Sequence, residues 1–102
     1  MLDFHLSVQP ETEQRLKIIL NSVENEENFA QGIINDQIAR LQRAILNLRL
    51  DLKVFEQKYQ TTSEQFYQEF SQGIVADEED FIIWSGLYEM LCQNKIQLQK
   101  LI

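Results

Sequence analysis

The sequence predicts a mainly α-helical protein, in which a short N-terminal strand is followed by a long heptad-patterned helix and a C-terminal helical hairpin, assembled as a dimer. Three observations support this fold class. The 102 residues include one Pro and three Gly, few enough for long helices. A heptad repeat of apolar residues occupies the middle of the chain, and a strand-like alternation occupies its start. We expect one domain, residues 1–102, with dimerising elements in 1–60 and an acidic, aromatic-rich helical part in 61–102.

The residues from Leu2 to Val8 alternate between apolar and polar with the period of a half-buried strand. A single strand leaves its edges unpaired, and no other segment alternates in this way. We therefore expect the strand to pair with the same strand of a second copy. The polar face of such a two-stranded ribbon fits the major groove of DNA, and its candidate DNA-binding residues are Asp3, His5 and Ser7. The alternative is a solvated strand face that reads no bases.

Two helices are expected between residues 10 and 59. Pro10 fits the first position of a helix, and the acidic residues after it favour the first turn. Asn25 fits the cap of a second helix, so we predict a tight turn near Glu24–Asn28. The alternative is one continuous helix from about Glu11 to Tyr59, because the heptad pattern also extends backwards through the turn.

Between Ile34 and Tyr59 the apolar residues are spaced in alternating steps of four and three, the pattern of a coiled-coil seam. A helix of this extent would be roughly 40 Å long. Such a seam needs cover from a second copy or from another long helix of the same chain. We predict a homodimer, or a higher homo-oligomer, that forms through it, with an interface formed by Ile34, Ile38, Leu41, Ile45, Leu48, Leu52 and Phe55.

The C-terminal part begins with signals for two further helices. Thr61–Gln65 predicts a turn and a helix cap, made either by Thr61 with Glu64 or by Thr62 with Gln65. Gly73 is expected to close the short helix that follows. The acidic run Asp77–Asp80 fits the start of the last helix, and its spacing does not fit a calcium-binding loop.

The net charge of −7 is concentrated in the C-terminal part, since residues 1–60 carry −2 and residues 61–102 carry −5. This charge argues against non-specific binding to nucleic acid or anionic membranes, and it suits a basic partner. Most aromatic side chains of this part should form a core, and any exposed ones would anchor a partner. The candidate partner-binding residues are Tyr67, Phe70, Glu78, Glu79, Phe81, Trp84 and Tyr88.

No residue pattern indicates catalysis, a metal site or a cofactor site, so we expect a protein that is not an enzyme. His5 has no Cys, Ser or second His to work with, and Cys92 is interpreted as a small buried residue. A single Cys fits a reducing compartment. The N-terminal residues lack the features of a signal peptide, and no apolar run reaches the length of a membrane span, so we expect a cytoplasmic protein.

A recognisable order of elements occupies residues 4–59. The alternating segment Phe4–Val8 is followed by Gln9–Glu11 and then by two apolar helical faces. This order resembles the ribbon-helix-helix family of small dimeric repressors and antitoxins. The chain departs from the family pattern because it lacks the usual Gly and Ser/Thr turn between the helices and basic residues on the strand.

A second resemblance covers residues 55–90 and rests on Phe55-Glu56, Lys58-Tyr59, Ser63-Glu64, Phe66-Tyr67, Phe70, Gly73, Asp80-Phe81, Trp84, Tyr88 and Met90. This pattern is similar to a segment of small bacterial antitoxin-like proteins. It implies an N-terminal part that dimerises and binds operator DNA, and a C-terminal part that holds a toxin. The competing hypothesis is a helical scaffold or adaptor that binds proteins and has no role with nucleic acid.

Overall fold

The computed structural model describes residues 6–102. They form four helices: α1 (Pro10–Ser22), α2 (Glu26–Tyr59), α3 (Ser63–Ser71) and α4 (Glu79–Leu101). The chain divides into two compact units, the first ending at Ile33 and the second running from Ile34 to Ile102. The prediction of a mainly helical protein with a long helix and C-terminal helices is confirmed.

The prediction of an N-terminal strand is wrong for residues 6–8, the part of the predicted strand that the structure describes. Residues 2–5 lie outside the described residues, and residues 6–9 have no regular secondary structure. Leu6 and Val8 are 65% and 42% exposed. A short strand is stable only beside another strand, and residues 6–102 contain none.

The start of the first unit follows the local signals of the sequence. Pro10 is the first residue of α1, and α1 ends at Ser22. The side chain of Asn25 accepts a hydrogen bond from the backbone N–H of Asn28 at 3.1 Å, which caps α2. The prediction of two helices with a turn near Glu24–Asn28 is therefore confirmed over the single-helix alternative.

In the second unit, α2 ends where Gln60 adopts a positive φ of 54°. Thr62 then caps α3, because its hydroxyl accepts a hydrogen bond from the backbone N–H of Gln65 at 3.1 Å. This is one of the two cap pairings that the sequence predicted.

Gly73 closes α3 as predicted, with a φ of 74°. The N–H of Ile74 donates to the carbonyl of Glu69, and the N–H of Gly73 donates to that of Phe70. These two bonds form a Schellman motif, in which a left-handed glycine satisfies the last carbonyls of a helix. The predicted acidic start of the last helix is confirmed by Glu79 and Asp80 in the first turn of α4.

The core of the second unit lies where α2, α3 and α4 meet. Its buried side chains are Leu48, Leu52, Phe66, Trp84 and Leu91. They are surrounded by half-buried apolar residues of the same helices. The chain's own helices thus cover part of the heptad-patterned face of α2.

Candidate functional site

The aromatic cluster of the second unit is centred on Trp84, which has no exposed surface. Its indole stacks on the ring of Phe66 with the centroids 3.8 Å apart and the planes 2° apart. Phe55 and Tyr59 of α2 lie against the same indole, each at a centroid distance of 5.6 Å. Trp84 therefore joins α2, α3 and α4 through one side chain.

A short hydrogen-bond chain satisfies the polar atoms of this core. The Trp84 Nε1–H donates to Ser63 Oγ at 2.9 Å. The Ser63 hydroxyl in turn donates to Glu56 Oε2 at 2.7 Å, and the Ser63 backbone N–H donates to the same oxygen at 2.9 Å. Because a buried indole N–H costs free energy when it has no acceptor, Ser63 fixes the position of Trp84.

A second polar cluster connects the end of α2 to the start of α4. Asp80 Oδ2 accepts hydrogen bonds from Lys58 Nζ at 2.7 Å and from Tyr59 Oη at 2.6 Å. The hydrogen bond from Lys58 lowers the pKa of the Asp80 carboxyl below its ordinary value. The hydrogen bond to Asp80 raises the pKa of both Lys58 and Tyr59.

These two clusters account for most of the residue pattern between 55 and 90. Its members that contact one another in and around these clusters include Phe55, Glu56, Lys58, Tyr59, Ser63, Phe66, Phe70, Asp80, Phe81 and Trp84. The pattern thus describes how three helices pack. A binding surface must use the neighbouring residues that this packing leaves exposed.

The seven predicted partner-binding residues fall into three groups, of which the first lies in the core and the second is acidic and exposed. Trp84 is enclosed in the core, so in this structure no partner can touch it, and Phe70 and Phe81 are half-buried against the same core. Glu78 and Glu79 are exposed at the start of α4. The structure therefore leaves the acidic members of the set accessible.

The remaining two predicted residues, Tyr67 and Tyr88, form a tyrosine patch together with Glu89. The sequence did not indicate Glu89 as a site residue. Tyr67 Oη donates to Glu89 Oε1 at 2.7 Å, and the rings of Tyr67 and Tyr88 lie 5.0 Å apart. The hydrogen bond to Glu89 raises the pKa of Tyr67, and desolvation raises that of Tyr88. Nothing in the sequence distinguishes Glu89 from the other acids, because its partner lies 22 positions away.

An open groove of about 210 Å³ lies beside this patch. Its lining includes three cations, Arg49, Lys53 and Lys95, and the half-buried Cys92. The sequence did not indicate this groove, because its residues come from distant positions on α2 and α4.

Residues 6–102 lack two kinds of feature. No group of three or more His, Cys, Asp or Glu side chains in this range is arranged to hold a metal ion. None of the helices in this range combines the length and apolar character needed to cross a membrane.

The predicted DNA-binding residues are not assembled into a site by the described part of the chain. Asp3 and His5 lie outside it, and Ser7 is exposed in a segment without regular secondary structure. Operator binding by these residues stays a prediction.

The predicted dimer seam is largely covered within one chain. Leu41, Leu48 and Leu52 are buried, and Ile45 and Phe55 are packed against the aromatic core. At its N-terminal end, Ile38 is half-buried and Ile34 is 38% exposed. Dimerisation through the seam stays a prediction.

Comparison with known proteins found no matching family, no matching curated protein and no matching solved structure.

Proposed function

We propose that this protein is an antitoxin-like protein that dimerises, binds a basic partner toxin and neutralises it in the cytoplasm. Binding of operator DNA through Asp3, His5 and Ser7 is the second activity in this proposal. The observation that supports binding of a basic toxin is the acidic surface that residues 61–102 present around a closed aromatic core.

The charge of this surface supports a basic partner. Residues 61–102 contain seven acids and two lysines. Among the described residues, Asp80 is the one acid of the seven that forms an ion pair, with Lys58. The other acids keep their charge free for long-range attraction, which raises the rate at which an oppositely charged protein is encountered.

Exposed apolar side chains lie next to the acids at the start of α4. Ile82 and Ile83 are 56% and 47% exposed, and each follows an exposed Glu by four residues in the sequence. Side chains four residues apart lie on the same helix face, so Glu79 and Ile83 are neighbours. Glu78 is the extended cap residue before α4, and its carbonyl accepts a hydrogen bond from the N–H of Ile82 at 3.0 Å. Apolar residues beside charged ones provide the core and rim of a protein interface.

The aromatic core holds this surface in place. Asp80 bonds to Lys58 and Tyr59, which fixes the first turn of α4 against the end of α2. Trp84, one turn further on, is held by Ser63. Because these contacts are internal, Glu78 and Glu79 are displayed on a rigid element, which lowers the entropic cost of binding.

A helical adaptor without a role in nucleic-acid binding is the second candidate. The net charge of −7 favours it, because phosphate contacts need cations. Both candidates bind a protein partner, and they differ in whether operator DNA is also bound. A gel-shift series on the chain's own promoter separates the two candidates. A sequence-specific shift by the wild type that His5→Ala/Ser7→Ala weakens would favour the antitoxin.

The experiment for the main proposal is co-expression of the full chain with the product of the adjacent reading frame. We expect a small basic protein that slows growth alone, co-purifies with this chain and loses its toxicity in the complex. Glu78→Lys/Glu79→Lys should weaken both effects, whereas the matched reversal Glu11→Lys/Glu13→Lys on α1 should preserve them. An adjacent protein that neither inhibits growth nor binds this chain would reject the antitoxin function.

A further inference from the structure

The side of α2 that points away from the aromatic core carries a row of exposed aliphatic side chains. Leu46, Leu50 and Val54 are 58%, 57% and 63% exposed. They are spaced by four residues, so they lie next to one another along one face of the helix. Leu48 and Leu52 are buried in the core, about half a turn around from this row, and all five residues belong to the second unit. An exposed apolar row that is bordered by polar residues is characteristic of an interaction surface.

The row is bordered by positive charge, although the whole chain is acidic. Residues 40–54 contain four cations and one acid, a net charge of +3 in a chain of −7. Three of the cations, Arg43, Arg49 and Lys53, lie three residues from a member of the row and are therefore its neighbours on the helix surface. In the part of the chain that the structure describes, none of the three forms an ion pair. The one acid, Asp51, borders only one end of the row.

The positive border continues into the open groove between α2 and α4. Arg49 and Lys53 line this groove of about 210 Å³ together with Lys95 of α4. Of the two acids that also line it, Glu56 already accepts two hydrogen bonds from Ser63. The groove can therefore receive the carboxylates of a segment that lies along the row.

We propose that an acidic amphipathic helix of a partner protein docks on this outer face of α2, which consists of Arg43, Leu46, Arg49, Leu50, Lys53 and Val54. The apolar side chains of the helix pack on the aliphatic row, and its carboxylates bind the cations at the groove. Apolar groups supply the centre of such an interface, and charge pairs at its rim select an acidic partner over a basic one. This partner is distinct from the basic toxin of the proposed function, because the outer face repels a basic surface.

The charge distribution favours a protein helix over an anionic membrane as the occupant. A basic amphipathic face can also bind anionic lipid. An extended membrane is repelled by the acids of the chain, whose net charge is −7, whereas a docked helix contacts the outer face alone. At physiological salt, charges farther away than about 8 Å are largely screened from such a helix. The six residues of the outer face also include no Trp or Phe, the side chains that anchor helices in the lipid interface.

Fluorescence anisotropy of a labelled synthetic peptide tests the outer face. The probe is a peptide of about 15 residues, long enough to cover the row, with leucines on one helix face and glutamates on the rest. The control peptide has the same composition in an order that gives no leucine face. We expect the full chain to bind the amphipathic peptide at least roughly tenfold more tightly than the control. Equal binding of the two peptides, or binding of neither, would overturn the proposal.

Substitutions with matched controls locate the binding. Leu50→Glu should weaken binding of the amphipathic peptide roughly tenfold or more, because it removes apolar contact area and adds a repelling charge. Ile82→Glu is its control, since Ile82 on α4 is 56% exposed, and should leave binding unchanged. Lys53→Glu should weaken binding roughly fivefold at low salt and less at high salt, whereas reversal of the exposed Lys100 should not. All four variants alter exposed side chains, so circular dichroism should report the wild-type helix content. A Leu50→Glu variant that binds the peptide like the wild type would overturn the proposal.

Two further measurements separate the other possible occupants. Sedimentation equilibrium reports self-association, and flotation with vesicles that contain phosphatidylserine reports membrane binding. We expect Leu50→Glu to change neither. A dimer that Leu50→Glu dissociates would assign the outer face to a second copy of the chain, and vesicle binding that Leu50→Glu abolishes would assign it to a membrane. Either result would contradict the proposal, and none of these tests involves the adjacent gene product, so their failure would leave toxin neutralisation untouched.

Discussion

The indole of Trp84 lies face to face with the ring of Phe66, with the centroids 3.8 Å apart and the planes 2° apart. This contact ties the short helix α3 to the core shared by α2 and α4. It also means that the most conspicuous aromatic residue of the C-terminal part stabilises the fold and is not a contact for a partner. The proposed partner surface is consequently made of acids and aliphatic side chains held in place by this core.

Ser63→Ala should destabilise the protein by about 1–3 kcal/mol, because the buried Trp84 N–H loses its acceptor. Urea unfolding followed by Trp fluorescence measures this change in the free energy of unfolding. Ser22→Ala is the matched control, since the Ser22 hydroxyl bonds to a backbone carbonyl on an exposed surface. We expect the control to change stability by less than about 0.5 kcal/mol. Equal effects of the two substitutions would refute the role assigned to Ser63.

The ion pair at Asp80 should make stability depend on pH in the acid range. The pKa of Asp80 is lowered from 3.8 in the folded chain, so its contribution is fully present above the unfolded value. That contribution is lost as the pH falls through the lower folded value. Asp80→Asn should remove it, so the wild type should be the more stable protein near neutral pH and the difference should shrink in acid.

Unfolding by urea at a series of pH values checks the Asp80 prediction. Asp77→Asn is the matched control, because Asp77 is an exposed acid without an ion pair in the described part of the chain. A stability difference between wild type and Asp80→Asn that stays constant from neutral pH into strong acid would contradict it.

Gln60→Gly should stabilise the protein by about 0.5–1 kcal/mol. Gln60 has a φ of 54°, which costs an L-residue free energy and costs glycine none. The gain is partly offset by the greater freedom of glycine in the unfolded chain. Gln57→Gly, an exposed position within α2, should instead destabilise by about 1 kcal/mol. Thermal unfolding of the two variants and the wild type shows whether each substitution raises or lowers the stability. Destabilisation by Gln60→Gly would contradict the prediction.

Features that depend on local chemistry could be predicted from the sequence. The cap at Thr62, the glycine at position 73 and the acidic start of α4 each involve residues within about one turn of each other. The break between α1 and α2 depended in the same way on Asn25.

Features that depend on distant partners could not be predicted. A heptad seam is equally satisfied by a second copy or by the chain's own helices, and the sequence does not say which covers Leu48 and Leu52. Whether an aromatic side chain lies in the core or on the surface depends on how α4 packs on α2, which the sequence does not show. Trp84 is therefore among the residues predicted to bind a partner, although it lies in the core. Leu6–Val8 alternate like a strand, but alternation supplies no partner strand.

The central claim is that the acidic surface at the start of α4 binds a basic toxin, and the rate of association tests it most directly. Stopped-flow mixing of the full chain with the adjacent gene product at low and high salt gives this rate. We use substitutions in place of a truncation, because removing α3 and α4 would expose Leu48, Leu52 and the other core residues.

We predict that Glu78→Lys/Glu79→Lys slows association by roughly tenfold or more at low salt and reduces its salt dependence. Glu11→Lys/Glu13→Lys, with the same change in net charge, should have a much smaller effect. Equal slowing by the two double variants would show that only the total charge matters, and it would contradict a binding surface at Glu78 and Glu79.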